Sequence, residues 1–193
     1  MTYLATITKL ARALLIFPLV LVVFPDRAEA KIFFSKQGAL KVALPAAKTV
    51  VPRDIFLSDE QAAEIKAHSG RAPQSKLLRV YVGEKDGAIT GYALIDTVII
   101  RTLPATMMYV LTPTGQIRAI HVLAFHEPLE YRPPQRWLSQ FYQRPAHASS
   151  KVAGIAGATL TAQVIAQRAA AALELFRVAI NPQKKVALGP NSK

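Results

Sequence analysis

Cysteine is absent from all 193 residues, and that absence removes whole classes of chemistry. No disulfide braces the chain, so its core must hold the fold alone. Thiolate-ligated iron–sulfur clusters and a Cys-x-x-Cys-His haem attachment are excluded. If the chain moves electrons, an organic cofactor has to carry them. Acids are scarce as well: 12 Asp plus Glu stand against 24 Lys plus Arg, for a net charge of +12. From residue 131 onward Glu174 is the only acid, against Arg132, Arg136, Arg144, Lys151, Arg168, Arg177, Lys184, Lys185 and Lys193. A pI this high first suggests nucleic acid, but no arginine–aromatic stripe and no reading motif accompanies it. A basic face that meets anionic lipid or an acidic redox partner fits the pattern better.

Long apolar runs are also missing. The stretch Ala13 to Phe24 falls short of the roughly 20 residues needed to span a bilayer. With Lys9 and Arg12 ahead of it and Ala28-Glu29-Ala30 behind it, it reads as a secretory signal peptide over residues 1–30. The expected location is therefore the periplasm, with an uncleaved, membrane-associated form as the alternative. Export argues against a nucleic-acid partner. Removing residues 1–30 leaves 21 basic and 10 acidic residues.

The remaining chain is predicted to be α+β: an antiparallel sheet of about four strands packed against helices. Residues 31–56, broken by Pro45 and Pro52, read as an extended lead-in. Ser58 and Gln61 form a capping box, Leu57 and Ala62 a hydrophobic staple, and Gly70 a stop. Leu78, Val80 and Val82 alternate up to a turn at Glu84-Lys85-Asp86-Gly87, and Ile89 to Ile100 returns. Gly91 marks a bulge or a close approach. A third strand covers Thr106 to Thr112 and a fourth Ile117 to Ala124. Strict alternation puts Ile117, Ala119 and His121 on one face of that strand, and Arg118, Ile120 and Val122 on the other. His121 and His126, five apart in an extended segment, point to opposite faces, and no third ligand accompanies them, so no metal site is expected. Pro133-Pro134-Gln135 opens a helix with Trp137 and Phe141 one turn apart. Ile165, Ala169, Ala172, Phe176 and Ile180 make the apolar stripe of a last helix, opened by Thr161 and ended at Asn181-Pro182. Residues 183–193 form a basic, loose tail.

Just ahead of that helix lies Gly154-Ile155-Ala156-Gly157-Ala158-Thr159-Leu160-Thr161. Small residues make the backbone approachable, and a helix N-terminus offers unpaired N–H groups and partial positive charge, which suit a phosphate. The plainer reading is a tight turn with a threonine cap.

Gly157-Ala158-Thr159 resembles the Ser/Thr-Gly-Ala-Thr flavinylation motif of the periplasmic FMN-binding domain, found in flavin-carrying subunits of the sodium-translocating NADH:quinone reductase and the Rnf complex. The likeness extends through Val80-Tyr81-Val82-Gly83, Gly87-Ala88-Ile89-Thr90-Gly91-Tyr92, Pro113-Thr114-Gly115-Gln116-Ile117 and Val122-Leu123-Ala124-Phe125-His126-Glu127-Pro128. It implies an FMN-binding domain over residues 57–182, with FMN joined through its phosphate to Thr159 by a separate FAD-dependent, Mg²⁺-using FMN transferase. It also implies Gly157, Ala158, Leu160 and Thr161 as neighbours of the cofactor. Glu127 is implied as a flavin contact, against the plain reading of a strand-ending loop. Trp137 is either core or a wall for the ring. The chain departs from the family pattern at Ala156, where Ser or Thr is usual, and at Ala153, where an acid is usual. Both positions bear on recognition by the transferase.

No Ser-His-Asp candidate, no paired carboxylates within one segment and no metal cluster is legible, so substrate turnover is not expected. The chain reads as an exported electron carrier that meets a membrane or periplasmic redox partner. The competing classes are a binding module that holds a ligand or partner without covalent flavin, and a cationic protein that adheres to anionic envelope surfaces. Intact-mass measurement of protein from its native envelope is expected to show a chain that starts at Lys31; a chain retaining residues 1–30 would mark the anchored form.

Overall fold

The structure, a computed structural model, describes residues 31–32, 35–144 and 158–181. The expected signal segment, residues 145–157 with Ala153, Ala156 and Gly157, and the chain from 182 onward lie outside the described residues. The fold is α+β. Five antiparallel strands of eight to twelve residues form the sheet: β2 (Thr49–Phe56), β3 (Leu77–Lys85), β4 (Ala88–Ile99), β5 (Pro104–Leu111) and β6 (Ile117–Phe125). The two-residue β1 (Lys31–Ile32) adds to one edge, giving the order β1-β6-β5-β4-β3-β2. Among the described residues four α-helices accompany it: α1 (Lys36–Ala43), α2 (Asp59–Ser69), α3 (Gln135–Leu138) and α4 (Thr159–Leu175).

The sheet thus has a strand more than expected, and the extended lead-in is corrected. Ser35 caps α1 by accepting the Gly38 N–H at 3.1 Å, and Pro45 follows the C-cap Leu44, a usual place for a residue that cannot continue a helix. Pro52 sits in β2, which is an edge strand of the sheet, where a missing N–H is tolerated.

Other local signals act as the residues dictate. Ser58 Oγ accepts the Gln61 N–H at 3.2 Å, and Gln61 Oε1 accepts the Ser58 N–H at 3.0 Å. Gly70 ends α2 in the left-handed conformation, φ 75°. Asp86 and Gly87, both at positive φ, make the two-residue hairpin between β3 and β4. Gly91 is a close approach: a Cβ there would lie 2.8 Å from the Leu111 carbonyl oxygen.

Register shifts in the β5–β6 pairing overturn the strict alternation of β6. Leu111 pairs with Ile117 but Val110 with Ala119, so Arg118 is the extra residue of a bulge. Ile117 joins Ile120 and Val122 in the main core. Arg118 instead turns to the opposite face, where its guanidinium donates to the Ala43 carbonyl at the end of α1. A cation there suits the helix C-terminus.

The main core lies between one sheet face and α2, α3 and α4. Ile165, Ala169, Ala172, Phe176 and Ile180 are all buried in it. The other face carries a smaller core, in which Ala39, Leu40, Ala43 and Leu44 of α1 and its cap cover Tyr81, Ala93, Met108, Val110 and Leu123. The chain continues past α4 into a single wider turn, Phe176–Ile180, capped by Asn181. Gln61 Nε2 donates to the Val178 carbonyl at 2.9 Å and ties that turn to α2.

Phe176 stands edge-on to Tyr92 at 5.5 Å between centroids, and its ring fills the space above Gly115. A Cβ on Gly115 would come within 2.1 Å of that ring, whereas one on Gly87 would meet nothing within 4 Å. Both glycines have left-handed φ, 87° and 80°. Gly115→Ala is therefore expected to destabilise the protein by about 1–3 kcal/mol more than Gly87→Ala, the usual cost of overpacking. Equal denaturation midpoints for the two variants would contradict the packing.

Candidate functional site

The helix α4 begins with Ala158 as its N-cap, at φ −129° and ψ 42°. Thr161 is therefore not the cap that the sequence suggested. It is the third helical residue, with 1% of its surface exposed. The first helical bond runs from the Ala162 N–H to the Ala158 carbonyl at 3.0 Å. Alanine brings no side-chain acceptor, and the first turn holds no acid. Neither the cap residue nor the first turn thus supplies a side-chain acceptor or an acid to the leading N–H groups and positive end of this 17-residue helix. Thr159 and Leu160 are exposed on this turn, while Ala158 is buried.

The direction of α4 follows from its contacts. Phe176 packs on Tyr92, at the start of β4, and Arg168 reaches Asp96, further along the same strand. At roughly 1.5 Å per helical residue and 3.4 Å per strand residue, the helix N-terminus points toward the end of the sheet where β4 turns into β5. Glu127 stands at that end. It is buried, and its Oε1 accepts three backbone N–H groups, from Arg101, Thr102 and Leu103, each at 2.9 Å. Desolvation pushes its pKa up, but the three amides and the nearby Arg101 outweigh that and hold it below the ordinary carboxylate value. Glu127 is thus the clamp of the β4–β5 loop. Trp137 is 7% exposed and sits edge-to-face on Phe141 at 5.2 Å within the main core.

His121 has its pKa lowered by burial and by Arg118. It borders a polar groove of about 340 Å³ together with Arg132, Pro134, Gln135 and Leu138. No group of three or more metal-ligating side chains occurs among the described residues. No described helix is long and apolar enough to cross a membrane.

A second cavity of about 260 Å³ opens between β3–β4 and the helices α2 and α4. Its polar wall was missed by the sequence reasoning. Arg168, 6% exposed, lies with Nε 3.3 Å from Asp96 Oδ2. Tyr109, 1% exposed, presents a hydroxyl with no hydrogen-bond partner. Burial raises the Asp96 pKa, opposed by Arg168 and Arg71. Burial also drives the Tyr109 phenol far above its usual range. A signal did exist: Asp96 occupies a core-facing step of the alternation Tyr92, Leu94, Asp96, Val98, and Arg168 falls within the apolar stripe of α4.

No family model matches the chain, and no curated protein is similar to it in sequence.

The Glu127 clamp has a pH signature. Its folded-state pKa lies below the unfolded value near 4.5, so its stabilisation is fully present above that value and is lost as pH falls through the depressed folded pKa. Glu127→Ala strands three amide donors and should cost about 3 kcal/mol at neutral pH. Glu127→Gln should cost less and flatten the loss of stability on acidification. Denaturant midpoints measured from neutral to acid pH check both outcomes; an unchanged acid limb in Glu127→Gln would contradict the role.

Proposed function

We propose that this chain is an exported electron-transfer flavoprotein that carries FMN through a phosphoester on Thr159 and relays electrons in a membrane-associated redox system. The observation that carries the reading is the start of α4: an exposed threonine on the first turn of a long helix whose cap is alanine. A phosphate there would meet the leading N–H groups and the positive helix end without displacing a side chain of the cap residue. The resemblance of Gly157-Ala158-Thr159 to the flavinylation motif of the periplasmic FMN-binding domain supplies the cofactor and the covalent bond.

In this reading Thr159 is the acceptor of a transferase reaction. Its hydroxyl attacks the flavin-side phosphorus of FAD, the pyrophosphate bond breaks, AMP leaves, and the hydroxyl proton passes to solvent. Thr159 needs no base from its own chain, since the transferase and its Mg²⁺ supply activation. The exposure of Thr159 and Leu160 leaves that enzyme room to approach. When bound, the isoalloxazine supplies the redox chemistry, and the protein supplies position and field. The basic excess of the chain from residue 131 onward favours an anionic, reduced ring.

A non-covalent binding module without flavin is the second reading, favoured by Ala153 and Ala156 in place of the motif's acid and hydroxyl. Co-expression with an FMN transferase and export, followed by peptide mass mapping, separates the two. An FMN-sized addition is expected on the peptide that contains Thr159, abolished in Thr159→Ala with the fold intact and retained in Thr161→Ala. An addition that survives Thr159→Ala would sink the assignment. Wild-type protein without any addition would favour the second reading.

A further inference from the structure

We infer that the cavity walled by Arg168, Asp96 and Tyr109 is a binding site for a small organic monocarboxylate with an apolar body. The cavity is not at the start of α4: Arg168 lies about 13 Å along the helix from Thr159, at roughly 1.5 Å per residue. The inference therefore stands whether or not Thr159 carries flavin.

Buried polar atoms beside this cavity lack hydrogen-bond partners. Two lining residues carry a buried atom with no hydrogen-bond partner, Arg168 Nε and Tyr109 Oη, and Arg71, which is not in the lining but whose charge acts on Asp96, carries a third at Nη1. The two arginine atoms can only donate, and the phenol is protonated and able to donate. Leaving a buried donor unpaired is costly, and native interiors rarely do so without a reason. What the cluster lacks is an acceptor. Asp96 does not meet this need: its Oδ2 is within ion-pair distance of Arg168 Nε, at 3.3 Å, but the two are not aligned as a hydrogen bond.

Charge then selects the acceptor. The guanidinium groups of Arg168 and Arg71 both act on Asp96, so two positive charges face one negative charge and a single positive charge remains. One carboxylate balances it. A phosphate dianion would exceed it and would meet the Asp96 carboxylate as a like charge. The rest of the wall sets the body of the ligand. Ile65, Leu78, Leu94, Ala172 and Leu175 are apolar, and about 260 Å³ is room for one aromatic ring or a branched aliphatic chain. Pockets of this kind, an apolar chamber with a few convergent polar groups, are the usual form of small-molecule sites. Arg168 and Tyr109 would hold the carboxylate, and Asp96, 3.3 Å from Arg168 Nε, would keep the Arg168 fork in place.

The test uses the full chain expressed without an FMN transferase, with benzoate as the probe and benzyl alcohol and inorganic phosphate as comparisons. Benzoate should bind saturably, raise the melting temperature and shift the backbone amides of residues 94–97 and 168–175. Benzyl alcohol and phosphate should bind at least about tenfold more weakly, since each lacks one half of the match. Tyr109→Phe, which keeps the ring and removes the hydroxyl, should fold normally and weaken benzoate about tenfold. Arg168→Met tests the cation and should abolish binding. Because that variant also strands Asp96 and can lose stability, the double variant Arg168→Met, Asp96→Asn is measured beside it and should likewise fail to bind. The inference is overturned if benzoate gives no saturable shift, if Tyr109→Phe binds like the wild type, or if benzyl alcohol or phosphate binds as well as benzoate.

Discussion

Both faces of β5 are apolar: Met107, Tyr109 and Leu111 enter the main core, while Met108 and Val110 enter the smaller one. A strand buried on both sides needs two covers, and the rest of the chain is arranged to provide them. One is α4 with α2 beside it. The other, among the described residues, is α1, whose Leu40 and cap residue Leu44 contribute about 1.5–3 kcal/mol each by their burial. Because α1 is short, its attachment rests on few contacts, and the bulge that sends Arg118 to its last carbonyl is among them. Removing α1 would expose the methionine and valine of the central strand. The residues just after the expected cleavage point are therefore part of the fold itself.

Local chemistry made much of this legible. The Ser58 box, the Asp86-Gly87 hairpin and the stripe of α4 each follow from residues within one or two turns of each other. Where the sequence misled, a longer-range term decided. Pro45 and Pro52 read as breakers of a lead-in, yet one merely follows a helix and the other lies where no partner strand asks for its N–H. Ile117 and Arg118 exchanged faces because a bulge adds a residue that strict alternation does not count. Thr161 looked like a cap because a hydroxyl suits that position, but the helix starts earlier and buries it. Asp96 and Arg168 pair across two elements far apart in the chain. Their meeting becomes visible only once α4 lies along β4, although each is conspicuous as a charge in an apolar row.

The acids of this basic chain are largely spent on its own structure. Asp54 pairs with Arg79, Asp59 with Lys76, Glu84 with Arg53, Asp86 with Lys48, and Glu64 and Glu174 share Arg177. Glu127 is committed to the backbone. Most of these pairs are exposed and individually worth at most about 1 kcal/mol, so their main effect is on the field and not on stability. With the anions engaged locally, the excess cations face outward. Such a field accords with a negative ligand being drawn to the cavity beside Arg168, where one positive charge is left over.

The strand β2 ends the sheet on one side, opposite β1. An unpaired strand is an invitation to polymerise: a second molecule can extend the ladder, and a third can extend that. On β2 the second molecule meets Pro52, with no N–H to give, and next to it Arg53 and Asp54, each tied back to β3 by an ion pair. Extending the ladder there means matching a gap in the donor row and tolerating two adjacent charges. With no cysteine in the chain to fix its register by a disulfide, that arrangement is a safeguard against fibre growth while the sheet forms.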